Sequence, residues 1–121
     1  MPVAFDSARV VRLLGADVRR TLGEGLLAEL SDVVANIDEL ARGWDKDGRD
    51  YQEYCEQRVV DDFQQYVLDT HTHTTWPPCP RHPNHPLEYA AESDAWCCPR
   101  DGAAIAPLGG LGLPEGARPG G

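Results

Sequence analysis

Residues 79–82 read Cys79-Pro80-Arg81-His82, and residues 98–102 read Cys98-Pro99-Arg100-Asp101-Gly102. The same phrase, Cys-Pro-Arg followed by a side chain able to ligate a metal, occurs twice, with 15 residues between His82 and Cys98. Written as a pattern this is C-x2-H-x15-C-x2-D, a spacing suited to a two-knuckle zinc site. A Cys-x-x-ligand turn aims two side chains and its backbone amides at one point, and proline stiffens the turn. Between the knuckles lie two short strand candidates, Leu87 to Ala91 and Asp94 to Cys98, joined by a tight turn at Ala91-Glu92-Ser93-Asp94. A β-hairpin placed there brings the two pairs together as four tetrahedral ligands for Zn2+.

Two knuckles around a hairpin resemble a zinc ribbon. The family's paired Cys-Pro-x-Cys-Gly knuckles are represented by Cys79-Pro80-Arg81-His82 and Cys98-Pro99-Arg100-Asp101-Gly102, with the aromatic Trp96 ahead of the second. The resemblance covers about residues 76–110 and departs from the family at His82 and Asp101, where cysteines are usual, and in the missing glycine after the first knuckle. Zinc ribbons use their metal as structure and mediate nucleic-acid or protein contacts, so the resemblance implies a binding module more than a catalyst. The Pro-rich phrases Trp76-Pro77-Pro78-Cys79 and His85-Pro86-Leu87 are also similar to those of small proteins from high-GC bacteria, a likeness that carries no function.

Cys79, His82 and Cys98 are the first-choice ligands. The fourth is Asp101 by knuckle symmetry, or His85, because Cys79, His82 and His85 are spaced three apart. Cys97 is a further alternative, although neighbouring strand residues point to opposite faces, so Cys97 and Cys98 seldom share one metal. A closed set of four makes the metal structural, whereas three strong ligands and a weak fourth leave room for a reactive water.

Upstream of this stretch the pattern is helical. Residues 6–22 read as a helix capped by Asp6 or Ser7, with Val11, Leu14, Val18 and Leu22 at helical spacing. Gly23 and Gly25 each lower helix propensity by about 1 kcal/mol against alanine. Thr21 and Glu24 have the spacing of a capping box, so a break or kink is expected here. Leu26, Leu30, Val33, Ile37, Leu40 and Trp44 then step alternately by four and three, a heptad seam that ends at Gly43. Asp50 and Glu53 cap a third helix that runs to about Asp69 and buries Tyr51, Cys55, Val59, Phe63, Tyr66 and Val67. A short loop between two amphipathic helices predicts an antiparallel helical hairpin.

The fold class that follows is α+β. An acidic helical hairpin unit with a leading helix occupies residues 1–75, a zinc-ribbon-like unit residues 76–108, and a flexible Gly/Pro-rich tail residues 109–121. Nine of the 10 prolines fall after residue 75, which is what marks the boundary. A ribbon of about 30 residues has too little core to fold without its metal, whereas the hairpin needs none.

The net charge of −9, from 11 basic and 20 acidic residues, leaves no basic stripe for phosphates and disfavours nucleic acid and anionic membranes alike. No run approaches the roughly 18 apolar residues of a membrane span. The opening Met1-Pro2-Val3-Ala4-Phe5-Asp6 has neither a basic nor an apolar leader region, which predicts a cytoplasmic protein. Thiols stay reduced there, and clustered cysteines mean metal more often than disulfide. The His71-Thr72-His73 pair reads as a helix C-terminus, the Asp45–Asp50 loop lacks calcium-loop spacing, and Cys55 reads as a core thiol. No nucleophile elbow, phosphate loop or dinucleotide fingerprint is present.

The leading expectation is a small zinc-binding interaction or adaptor protein with a structural metal, joined to a protein partner or to itself through the helical seam. The alternatives are a regulatory protein whose ribbon contacts nucleic acid through Arg81 and Arg100, and a small metalloenzyme with an open zinc site.

Overall fold

The structure is a computed structural model that describes residues 5–41, 48–70, 75–80 and 85–111. Helix α1 spans Ser7–Leu22, and the side chain of Asp6 caps it by accepting from the Ala8 amide at 3.1 Å. Gln52 fixes this end from the third helix, accepting from the Asp6 amide and donating to its carbonyl, both at 2.9 Å. Val10, Leu14 and Val18 face the core, while Val11, expected there, is 38% exposed. Gly23 at φ +83° ends α1 in a conformation that side chains resist. A 3-10 turn over Glu24–Leu26 then fills the expected break and leads into α2, Leu27–Ala41.

The buried face of α2 is Leu30, Val34, Ile37 and Ala41, and this corrects the heptad seam. Val33 is half-buried and Leu40 is 47% exposed. The difference is one of phase and not of period, since the buried face also steps by four, three and four. Helix α2 packs against two neighbours, α1 and α3, and these turn its buried face from Val33 and Leu40 towards Val34 and Ala41. Trp44 lies outside the described residues. Helix α3, Gly48–Thr70, buries Tyr51, Cys55, Val59, Val60, Phe63 and Val67, with Tyr66 half-buried.

The sheet has three antiparallel strands in the order β1 (Glu88–Ala90), β2 (Ala95–Cys97) and β3 (Ala104–Pro107). Tyr89 pairs with Trp96, Trp96 with Ala106, and the β2–β3 register is interrupted between Trp96 and Cys97. Strand β3 was not anticipated, because Ala-Ile-Ala-Pro is too short and too weakly patterned to announce a strand. Ahead of β1, Pro78 forms a bridge with Pro86, the Leu87 amide donates to the Pro77 carbonyl at 2.7 Å, and the Cys79 amide donates to the His85 carbonyl at 3.2 Å. Residues 77–79 therefore run antiparallel to residues 85–87.

Sheet and helices share one core. Phe63, Trp76, Trp96 and Tyr89 form a chain of edge-to-face contacts with centroid separations of 5.7, 5.6 and 5.9 Å, the geometry that ring quadrupoles favour. Helix α3 also closes the outer edge of β1. Gln57 donates to the Tyr89 carbonyl at 2.6 Å and accepts from the Ala91 amide at 2.8 Å, while Gln64 donates to the Leu87 carbonyl at 2.6 Å. The division drawn at residues 75/76 thus passes through a single apolar cluster that runs from Phe5 to Leu111. The tail boundary at 109 moves as well, since Gly109, Gly110 and Leu111 are buried. The outcome is an α+β arrangement of three helices followed by a small sheet. Among the described residues no helix is long and apolar enough to cross a membrane.

Candidate metal centre

Each cysteine of the two Cys-Pro-Arg phrases stands at the end of an antiparallel pairing. Cys79 closes the pairing of 77–79 with 85–87. Cys98 follows β2 and starts the turn into β3, where its amide donates to the Ala103 carbonyl and its carbonyl accepts from the Gly102 amide, both at 2.8 Å. Gly102 sits at φ +74°, which explains a glycine at this step of the second knuckle. Both thiols are sequestered, Cys79 being 0% and Cys98 1% exposed, and both belong to the same apolar cluster.

The three candidates for the fourth ligand, Asp101, His85 and Cys97, are all at least partly exposed. Strand alternation buries Trp96 and Cys98 and leaves Cys97 half-exposed. The Cys97 thiol donates to the Ala95 carbonyl at 3.7 Å and lies 4.0 Å from the Ser93 hydroxyl. His85 is exposed. Asp101 is exposed too, and its Oδ1 accepts from the Ala103 amide at 2.9 Å, a side-chain brace across the knuckle turn. His82 and Arg81 lie outside the described residues, as do His71, His73 and the 45–47 part of the acidic loop. The four cysteines form no disulfide. Among the described residues, no three His, Cys, Asp or Glu side chains gather closely enough to hold a metal. Cys79 and Cys98 are soft donors removed from water, which suits zinc and not magnesium or calcium.

Two polar networks that no motif announced fasten the knuckle-bearing sheet to α1. The first centres on Asp17, which has no exposed surface. Its carboxylate accepts from the Trp96 indole at 2.9 Å and from the Gly109 and Leu111 amides at 2.8 Å. Arg20 completes this hub, donating to the Gly109 carbonyl at 2.6 Å and to the Leu111 carbonyl. Burial pushes the Asp17 carboxyl above the usual range, against the pull of these donors and of Arg20. Gly109 is required at this joint, because it takes φ +89° and a Cβ there would stand 2.9 Å from the Leu13 side chain.

In the second network Arg9 donates to both Glu56 oxygens, at 2.9 and 2.8 Å, and to Asp94. Asp94 also accepts from the Tyr89 hydroxyl at 2.9 Å. Burial and the neighbouring Asp94 push the Tyr89 phenol far up, so it stays a donor at any physiological pH. Burial likewise raises the Cys55 thiol, which keeps it protonated in the core. A sequence signal for Asp17 did exist: it is the one acidic residue within α1, flanked on both sides by apolar core positions.

The sequence matches a protein family, Domain of unknown function (DUF8819), over residues 5–108. The chain belongs to this family. The DUF8819 match starts at Phe5, just before α1, and runs to Leu108, just after β3, so the helices and the sheet fall within one family unit. No curated protein and no solved structure matches the chain.

Proposed function

We propose that this DUF8819 chain is a small zinc-binding interaction protein whose metal is structural, held by Cys79, His82, Cys98 and Asp101. The observation that carries the reading is the burial of both Cys-Pro-Arg thiols in the core, Cys79 at the end of the 77–79/85–87 pairing and Cys98 directly after β2. A buried thiol without a metal is a small hydrophobe and needs no knuckle around it, whereas paired thiolates at hairpin turns are the usual donors of a structural zinc. Zinc bound there would cross-link the two turns and add its binding energy to the stability of the sheet. Asp101 joins the set only by releasing or sharing the oxygen that braces Ala103. The acidic balance of the chain directs partners towards protein and away from nucleic acid.

Elemental analysis of protein purified without added chelator tests this reading. The expected result is about one zinc per chain, lost in the Cys79→Ser/Cys98→Ser double variant, because serine does not replace a thiolate. Zinc content unchanged in that variant would overturn the site. Single changes at Asp101, His85 and Cys97 then identify the fourth ligand by which one weakens retention.

A further inference from the structure

Helix α1 carries four arginines and one acid in a chain of net charge −9. The acid, Asp17, is buried. Two of the arginines are consumed by the fold: Arg9 holds Glu56 and Asp94, and Arg20 holds the Gly109–Leu111 segment. Arg12 and Arg19 are left over, seven residues and so about two turns apart on one side of the helix. Arg12 has no ion-pair partner among the described residues, and Arg19 makes only a 3.7 Å exposed pair with Glu24.

Between α1 and α2 these arginines border a groove of about 330 Å³ whose apolar lining is Val11, Gly15, Leu27 and Leu30. Val11 is the apolar residue that the core of α1 does not use. A Cβ on Gly15 would stand 3.9 Å from both Leu27 and Leu30, which sets the level of α1 against α2. From that level, counting three residues back along α1 and about three onward along α2 puts Arg12 level with the exposed Asp32, the residue after Ser31 of the groove lining. In the other direction Arg19 stands at the height of Glu24, as their ion pair confirms. The face thus has Arg12 and Arg19 on α1, an apolar groove, and beyond it the exposed acids Glu24 and Asp32, which the same count sets opposite the two arginines.

We infer that this face is a docking surface for a second copy of the same chain. A two-fold axis running along the groove lays α1 of each copy over α2 of the other and preserves height. Arg12 of one copy then meets Asp32 of the other, Arg19 meets Glu24, and Val11 enters the opposing groove. A face bearing both rims is complementary to itself, which a uniformly basic or acidic face is not. The alternative two-fold, with α1 over α1, opposes like charges and is disfavoured. The inference extends the reading of the chain as an interaction protein and does not involve the metal. Zinc content reports on the knuckles and sedimentation on the groove, so either can fail alone.

Sedimentation velocity of the full chain from about 1 to 500 μM is the test. The expected result is a monomer–dimer equilibrium that Arg12→Asp weakens by about tenfold, Asp32→Arg weakens similarly, and the combined Arg12→Asp/Asp32→Arg variant restores. Both positions are exposed, and far-UV circular dichroism of each variant verifies that the monomer still folds. A wild-type monomer at every concentration, a dimer indifferent to Arg12→Asp, or a double variant no tighter than the singles would each overturn the inference.

Discussion

Asp17 concentrates more of the tertiary structure than any other side chain in the two networks, because one carboxylate fastens β2 through Trp96 and the end of the fold through Gly109 and Leu111. Asp17→Ala leaves three buried donors without acceptors and Arg20 without its carboxylate, and should destabilise the protein by about 3 kcal/mol or more. Asp17→Asn keeps the shape but turns one acceptor into a donor, so a smaller loss is expected. The pH dependence has a definite sign. The folded carboxyl is raised above the reference 3.8, so its contribution to stability is full below that value and declines as pH rises through the folded value. The stability of wild type relative to Asp17→Asn, measured by urea unfolding, should therefore fall as pH rises above about 4. A difference that grows with pH would show that the three donors outweigh burial.

At the scale of the element, the phase of α2 decides which valine matters. Val34 is buried and Val33 half-buried, although the heptad reading places Val33 on the seam. Val34→Asp buries a carboxylate among Leu30, Ile37 and Ala41 and should cost about 3 kcal/mol or more, whereas Val33→Asp can turn its charge towards water and should cost about 1 kcal/mol. Urea midpoints of the two variants check the order, and a reversed order would restore the coiled-coil phase. The strands illustrate the opposite case. Their hairpin was legible because the turn residues at 91–94 separate two alternating runs, and β1–β2 pairing follows directly. Strand β3 was not, since its residues become a strand only by completing the ladder that β2 offers.

At the scale of the whole molecule, the helices and the sheet depend on the same buried aromatics. Trp76 touches Phe63 of α3 and Trp96 of β2, and its indole donates to the Thr21 hydroxyl of α1 at 2.8 Å. Loss of the sheet would leave Phe63 and Val10-to-Val18 on α1 without their cover, so the two halves should unfold together. Thermal unfolding followed by far-UV circular dichroism and by tryptophan fluorescence should give coincident transitions. If the site is metal-loaded, chelation should lower that common midpoint instead of melting the sheet alone. Fluorescence change that precedes the loss of helix by several degrees would return the molecule to two loosely joined units.

Three helices, the break at Gly23, the β1–β2 hairpin and the α+β order were written in the sequence, because periodicity, caps and turn residues act over a few neighbours and need no distant contact to be read. The repeated Cys-Pro-Arg phrase marked Cys79 and Cys98 as the proposed metal ligands. Only the tertiary structure decided the rest. It buried those two thiols in one cluster and set the phase of α2 by giving it two partners. It turned Gly109 to Leu111 from the start of a tail into part of the core. The physical reason is the same each time. Asp17 and Gly109 are 92 positions apart, and Arg9 and Asp94 are 85 apart. A buried hydrogen bond between such positions leaves no local pattern in the chain; it exists because the fold removes both groups from water and offers each only the other.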